Sequence, residues 1–151
     1  MKFSKLVGSG LLGIFVVSLL LVGNPGVAQA ATKEFQIVLG EWSWKAKPGE
    51  AGVPGLDGKE VRKIERYVFD PGFIVVNKGD DVVLHLHDVK GSKHQIEIKA
   101  FGVPELLIKR GEVKTVKFKA SKAGTFEIIC KNHVDAKKEG PMIGYIHVLG
   151  R

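Results

Sequence analysis

The segment CKNHVDAKKEGPM, residues 130–142, holds the only cysteine of this 151-residue chain, a histidine three positions later and one of its two methionines. A second histidine, His94, opens the alternating stretch HQIEIK earlier in the chain. Thiolate, imidazole and thioether groups are soft or borderline metal donors. The residue types therefore predict a metal site of His94, Cys130, His133 and Met142, provided that the fold brings these side chains together.

The phase of the strands tests that condition, because successive side chains of a strand point to opposite faces of its sheet. Cys130 is in phase with the apolar residues of GTFEIIC, and His94 is in phase with the isoleucines of HQIEIK. Met142 is in phase with the last isoleucine and valine of MIGYIHV. Three donors are thus predicted at strand ends on the buried side, with His133 on the loop between two strands.

The nature of the donors separates the candidate metals. Two imidazoles and a thiolate with a weak axial thioether suit a copper electron-transfer centre, whereas structural zinc sites use cysteine and histidine only. Taken singly, Cys130 also fits an inert core residue, His94 a buried core histidine and Met142 a gap-filling side chain. The coincidence of donor types and strand phases favours one bound copper ion.

The rest of the chain after residue 31 alternates with period two, and Gly, Pro, Asn and Asp mark the breaks. This pattern predicts strands at 34–39, 73–76, 81–87, 94–99, 113–120, 125–130 and 143–149. We expect an all-β, Greek-key β-sandwich of about seven to eight strands. Residues 45–59 are rich in Gly and Pro and are expected to form a loop, while residues 60–70 fit either a short helix or an edge strand.

Two tryptophans raise a question of register. If the apolar side chains of 35–39 face the core, an unbroken strand points Trp42 and Trp44 outward. A bulge at Gly40 would turn them inward. Both interpretations stay open, namely cover for one end of the core or an exposed docking patch.

Three further histidines lie outside the predicted site. His85 and His87 alternate with buried leucines, so they are expected on the solvent side of their strand. Together with His147, which is also predicted to face outward, they could form an accessory metal patch. The alternative is that all three are ordinary surface histidines.

The first thirty residues have the features of a secretory signal peptide, with two lysines, an apolar run of 17 residues from Leu6 to Val22, and the sequence Ala28-Gln29-Ala30. We predict a signal peptide at 1–30 and a single domain at 31–151. The protein is then exported, to the periplasm or the outer face of the cell membrane. Retention of the apolar run as a membrane anchor is the alternative.

The net charge bears on the partners. Removal of residues 1–30 takes two lysines from the 23 basic residues, which leaves 21 against 16 acidic residues and a net charge of +5. Such a surface favours acidic redox proteins or anionic membrane surfaces. Nucleic acid is not expected as a partner, and the protein is predicted to be a monomer without an internal disulfide, since it has one cysteine.

The sequence resembles the cupredoxins, the plastocyanin, azurin and pseudoazurin class of small blue-copper proteins, over residues 69–149. FDPGFIVVNKGDDVVLHL is similar to the first strands of that family, GSKHQIEI carries the first histidine, and GEVKTVKFKASKAGTFEIICKNH leads to the cysteine and the second histidine. GPMIGYIHV looks like the axial methionine entering the last strand. The resemblance implies His94, Cys130 and His133 as equatorial ligands, Met142 as the axial ligand, and one-electron transfer that leaves through the edge of His133.

One feature departs from plastocyanin, because eight residues, Val134 to Pro141, separate His133 from Met142 and make a longer loop. The strand pattern is also similar to the binuclear copper domains of respiratory oxidases and nitrous-oxide reductase. Those domains need a second cysteine and a further histidine where this chain has Val134 and Lys138, which excludes a binuclear centre in a monomer.

Other functions are less well supported by the residues. We expect that the protein is not an enzyme, because the chain has no Ser-His-Asp order, no recognisable carboxylate pair and no phosphate loop. It is also short for the multidomain copper nitrite reductases and oxidases, which need a second, three-histidine copper site. A copper carrier or storage protein and a metal-free interaction domain remain as alternatives.

Overall fold

The computed structural model describes residues 30–150, so the predicted signal peptide lies, except for Ala30, outside the described residues. Within this range the strands are β1 (Thr32–Lys45), β2 (Val53–Pro54), β3 (Glu60–Val61), β4 (Lys63–Asp70), β5 (Phe73–Asn77), β6 (Asp81–Asp88), β7 (Lys93–Glu97), β8 (Leu106–Lys109), β9 (Val113–Lys119), β10 (Gly124–Cys130) and β11 (Ile143–Leu149). Two single-turn 3-10 helices lie at Lys99–Phe101 and Ala136–Lys138. The described part of the chain contains no helix that is long and apolar enough to cross a membrane.

The strands form two main sheets and a short ribbon. One sheet has the order β4-β1-β6-β9, the other has the order β5-β11-β10-β7-β8, and β2 pairs with β3. The predicted all-β, Greek-key sandwich is confirmed, with nine strands in the two main sheets. The ambiguous segment 60–70 is strand rather than helix, and β8 adds a strand that the sequence pattern did not predict.

The core lies between the two sheets, where the period-two pattern places the apolar side chains. A single buried cluster joins Ile37 and Leu39 of β1 with Ile128 of β10 and Ile146 of β11. Each such side chain stabilises the fold by roughly 1.5–3 kcal/mol relative to an exposed one. The same cluster contains Cys130 and Met142, and His94 is equally buried, so the predicted strand phases are correct.

Strand β1 settles the register of the tryptophans. Its pairing with β4 continues without interruption from Val38 opposite Asp70 to Lys45 opposite Lys63, so there is no bulge at Gly40. The side chain of Trp42 is 54% exposed. The interpretation of Trp42 as cover for the core is therefore wrong, and it lies on the outer face of its sheet.

The three outer histidines do not form one patch. His85 and His87 lie on β6 of the four-stranded sheet, whereas His147 lies on β11 of the five-stranded sheet. His85 Nε2 lies 2.5 Å from Glu34 Oε1, and His87 Nε2 lies 2.5 Å from Gln36 Oε1. These histidines are thus ordinary histidines on the outer faces, paired with neighbouring polar groups, and the alternative of one metal patch of all three is wrong.

Candidate metal centre

The three inner strands of the five-stranded sheet bring the buried donors together at one end of the sheet. The central strand, β10, is antiparallel to β11 on one side and to β7 on the other. The end of β10, at Cys130, therefore lies beside the start of β7, where His94 is the second residue, and beside the residue that precedes β11, Met142. The backbone N–H of Cys130 donates to the Met142 carbonyl at 3.1 Å, which holds these two residues next to each other.

The donor atoms of two histidines converge on the cysteine sulfur. Cys130 Sγ lies 3.5 Å from His94 Nδ1 and 3.3 Å from His133 Nδ1, and the ligand atoms of all three lie within 4.8 Å of one another. Cys130 and His94 have no exposed surface, whereas His133 is half-buried. This arrangement is a group of three side chains that could hold a metal ion.

The hydrogen bond of His94 Nε2 determines which ring nitrogen is available for a metal. His94 Nε2 lies 2.7 Å from the Lys90 carbonyl oxygen, and because a carbonyl can only accept, Nε2 must carry the proton. Nδ1 is therefore the ring nitrogen that faces Cys130. Such an outer hydrogen bond sets both the tautomer and the orientation of a metal-binding imidazole.

The electrostatics of the group favour a thiolate. Burial alone would raise the pKa of the Cys130 thiol, but the hydrogen bond with His94 and the backbone N–H of Asn132 outweigh it, so the pKa lies below its usual value. Burial would lower the pKa of His94, and its contacts with Cys130 and the Lys90 carbonyl raise it overall. Burial and the neighbouring charge of His94 lower the pKa of His133.

The long loop between His133 and Met142 folds back on itself. Asp135 caps the 3-10 helix Ala136–Lys138 by accepting two backbone N–H groups at 2.9 and 3.2 Å. The Gly140 N–H donates to the Asp135 carbonyl at 2.8 Å, and the Met142 N–H donates to the His133 carbonyl at 2.8 Å. The eight intervening residues thus return Met142, fully buried, to the backbone of His133.

Asn132 ties the cysteine loop to the strand of His94. Its Oδ1 accepts the backbone N–H of Gln95 at 2.7 Å, and the Lys131 N–H donates to the Gln95 carbonyl at 2.8 Å. These two contacts join the residues next to Cys130 to the residue next to His94. They hold the two donors at a fixed separation.

Two residues at the site were not predicted from the sequence. The ring of Tyr67 stacks on His133, with centroids 4.0 Å apart and planes at 27°, and meets the edge of His94 at 5.3 Å. The carboxylate of Asp88 is fully buried, 3.6 Å from His94 Nε2. Burial raises the pKa of Asp88, although the neighbouring His94 opposes this effect.

The donor set fits copper, because imidazole nitrogens around a buried thiolate are the ligands that this metal prefers in electron-transfer sites. The fold and the site together define a copper-binding β-sandwich protein. A family model described as "Cupredoxin-like domain" matches residues 13–143. The chain belongs to this family, and the predictions of a cupredoxin fold and of a copper cofactor are confirmed.

Solved structures of larger copper proteins are similar to this chain. A multicopper oxidase is 25% identical with a TM-score of 0.59, covering 81% of this chain and 40% of its own. A blue copper oxidase from Nitrosomonas europaea is 22% identical with a TM-score of 0.58, covering 80% of this chain and 39% of its own. A copper nitrite reductase from the same organism is 21% identical with a TM-score of 0.58, covering 80% and 42%. No curated protein sequence matches significantly.

These matches correct one prediction. The expectation that the protein is not an enzyme is wrong, because the similar structures are those of oxidases and a nitrite reductase. The argument from length overlooked that such enzymes contain regions of this size and fold. The chain spans about two fifths of the length of each of them.

Proposed function

We propose that this protein transfers single electrons between redox partners through one type 1 copper ion held by His94, Cys130, His133 and Met142. The observation that carries the proposal is the approach of two imidazole Nδ1 atoms to within 3.3 and 3.5 Å of a buried cysteine sulfur. Copper bound there supplies a one-electron couple between the +1 and +2 states. A copper carrier is disfavoured, because transfer of the metal would require a more exposed site than one with three fully buried donors.

The surrounding residues limit rearrangement of the site. The Lys90 carbonyl orients His94, the Tyr67 ring lies flat against His133, and Asn132 joins the loop to the strand of His94. A site whose side chains are already held in place changes little when its charge changes, which favours fast electron transfer. The burial of His94, Cys130 and Met142 also keeps water away from these donors.

Met142 is proposed as the axial ligand. Its side chain has no exposed surface, and its backbone contacts both Cys130 and His133. A thioether in this position would bind weakly and would influence the reduction potential rather than the class of the site. Met142→Leu is therefore expected to retain the copper and to change the potential, whereas an unchanged potential would contradict axial ligation.

The lysines near His133 support an acidic redox partner. Lys131 is neutralised by an ion pair with Glu105 at 2.5 Å, whereas Lys137 and Lys138 form no ion pair with any described residue. Lys137 and Lys138 therefore contribute most to the steering of an acidic partner toward His133. Exchange with an acidic redox protein should slow with added salt and in Lys137→Gln/Lys138→Gln. The variant Lys33→Gln, on a distant part of β1, serves as control, and rates independent of salt would contradict this partner.

The similar enzymes suggest the setting of this transfer. Because those structures are copper oxidases and a nitrite reductase, we propose that the electron is exchanged with, or within, an assembly that carries out such chemistry. The predicted signal peptide supports export to the periplasm or to the outer membrane face, and we propose that the protein acts there as a monomer. The net positive charge also favours association with an anionic membrane surface.

The visible spectrum of the purified protein with Cu(II) tests the proposal. An intense thiolate-to-copper charge-transfer band and a reversible one-electron couple are expected. Cys130→Ser, His94→Gln and His133→Gln should abolish the band, whereas the outer-face control His147→Gln should retain it. A colourless protein, or a band that survives in Cys130→Ser, would refute the proposed site.

A further inference from the structure

The last residue of β6, Asp88, holds a carboxylate in an unusual environment. Its side chain is completely buried, and among the described residues its two oxygens are the buried side-chain polar atoms without a hydrogen-bond partner. One of them, Oδ1, lies 3.6 Å from His94 Nε2. A buried carboxylate is costly unless neighbouring groups favour its charged form, as His94 and the Lys90 backbone N–H do here, so its position beside the imidazole calls for a physical role.

The backbone holds this carboxylate in place. The Asp88 N–H donates to the Glu112 carbonyl at 3.0 Å, and the Asp88 carbonyl accepts the Gly111 N–H at 2.7 Å. Asp88 follows Leu84 and Leu86 in phase on β6, so its side chain is directed inward with theirs. The carboxylate therefore cannot turn toward solvent without disrupting the end of the strand.

The turn after Asp88 closes around the same nitrogen of His94. The Lys90 carbonyl accepts from Nε2 at 2.7 Å. Gly91, with φ of +103°, lies so close that an added Cβ would be 2.7 Å from Nε2, and Arg110 Nε donates to the Gly91 carbonyl at 2.7 Å. The proton on Nε2 thus points to the Lys90 carbonyl, and the Asp88 carboxylate lies 3.6 Å from the same nitrogen, beyond hydrogen-bond distance, in a turn that fits tightly around the ring.

We propose that Asp88 is a positioning residue whose carboxylate, beside Nε2 of His94, reinforces the orientation that the Lys90 carbonyl sets, and whose negative charge lowers the reduction potential of the copper site. This inference rests on the proposed electron-transfer function. A charge in the poorly polarisable interior acts strongly on its neighbours. Because the oxidised site carries one more positive charge than the reduced site, the carboxylate stabilises the oxidised form through the imidazole.

Two substitutions separate the charge of Asp88 from its polar oxygen atoms. Asp88→Asn removes the charge and keeps an oxygen acceptor, whereas Asp88→Leu removes both. The matched control is Asp80→Asn, because Asp80 is equally buried but lies at the opposite end of β6, where it accepts the backbone N–H groups of Ala31 and Asn77. Loss of stability alone would affect this control as well.

The reduction potential of the copper-loaded proteins is the first measurement. It should shift upward by a similar amount in Asp88→Asn and Asp88→Leu and should stay unchanged in Asp80→Asn. The second measurement is ¹⁵N NMR of His94 in the metal-free protein, which reports the tautomer and the solvent exchange of the Nε2 proton. The Nε2-protonated form should persist in all three proteins, because the Lys90 carbonyl accepts from Nε2, and the Nε2 proton should exchange faster in Asp88→Leu than in wild type and Asp88→Asn.

The outcomes distinguish this inference from the function on which it rests. In one outcome, the wild-type protein shows the charge-transfer band and a one-electron couple while both Asp88 variants keep the wild-type potential. This result would overturn the role of the Asp88 charge and leave the proposed function standing. A wild-type protein without the band would refute the proposed function. In that case the NMR result still tests the contact, and an unaltered exchange rate of the Nε2 proton in Asp88→Leu would overturn the positioning role.

Discussion

Gly140 lies where the loop after His133 folds back toward the site, and Gly140→Ala gives the sharpest test of that packing. A Cβ added there would be 2.3 Å from the His133 carbonyl oxygen, 2.5 Å from its carbon and 3.1 Å from the Asp135 nitrogen. All three are backbone atoms, so no side-chain rotation relieves the overlap. The same carbonyl accepts the Met142 N–H at 2.8 Å, and the substitution must therefore move the segment that carries two proposed ligands.

The expected loss of stability follows from three contributions. Overpacking costs about 1–3 kcal/mol, and a strained hydrogen bond to the carbonyl costs about 1 kcal/mol more. Reduced freedom of the unfolded chain returns about 0.4–1 kcal/mol when glycine becomes alanine. The free energy of unfolding of the metal-free protein should therefore fall by about 2 kcal/mol, measured by urea denaturation, and the charge-transfer band should weaken or shift with copper.

Gly40→Ala is the matched control. Its added Cβ would meet only side-chain atoms, the nearest being Val38 Cγ1 at 3.7 Å, which is an ordinary contact. If the free energies of unfolding of Gly140→Ala and Gly40→Ala differed by less than about 0.5 kcal/mol, and the charge-transfer band were unaltered, the tight closure of the loop would be refuted.

Three further changes in unfolding free energy can be measured on the metal-free protein. Asn132→Ala should cost about 1–3 kcal/mol because it leaves the Gln95 N–H without its acceptor, while Asn132→Asp keeps an acceptor and should cost less; equal losses would contradict this role. Asp135→Ala removes the cap of the 3-10 helix and should cost about 1 kcal/mol, a loss that Asp135→Asn should largely avoid. Leu86→Ala, at a fully buried position, should cost about 2–5 kcal/mol, whereas Leu107→Ala, at a side chain 50% exposed, should stay within about 0.5 kcal/mol; similar values for the two leucines would argue against the assigned core.

The sequence predicted the sandwich and the convergence of the donors because both depend on period-two alternation. His94 and Cys130 each extend a run of inward-facing apolar residues, so their burial could be read from the chain. The short β8 was missed because four residues carry too little alternation to stand out. The strand that holds Tyr67 was ambiguous, since its pairing with β1 is a long-range contact that local pattern does not report.

The two unpredicted residues differ in how much the sequence could have revealed. Asp88 continues the phase of Leu84 and Leu86, so a buried carboxylate at the end of β6 was within reach of the same argument that placed His94. Tyr67 was not, because its approach to His133 depends on β4 lying beside the ligand loop. The backbone N–H of Tyr67 donates to the Glu139 carbonyl at 2.8 Å, and no local pattern predicts that contact.

The loop between His133 and Met142 shows why residue count is a poor guide to the reach of a ligand. Eight residues would allow Met142 to lie far from the site if they were extended. Instead, Asp135 caps a helical turn, Gly140 permits close approach of two backbone segments, and the Met142 N–H returns to the His133 carbonyl. The position of Met142 is thus set by these contacts and not by the number of residues in the loop.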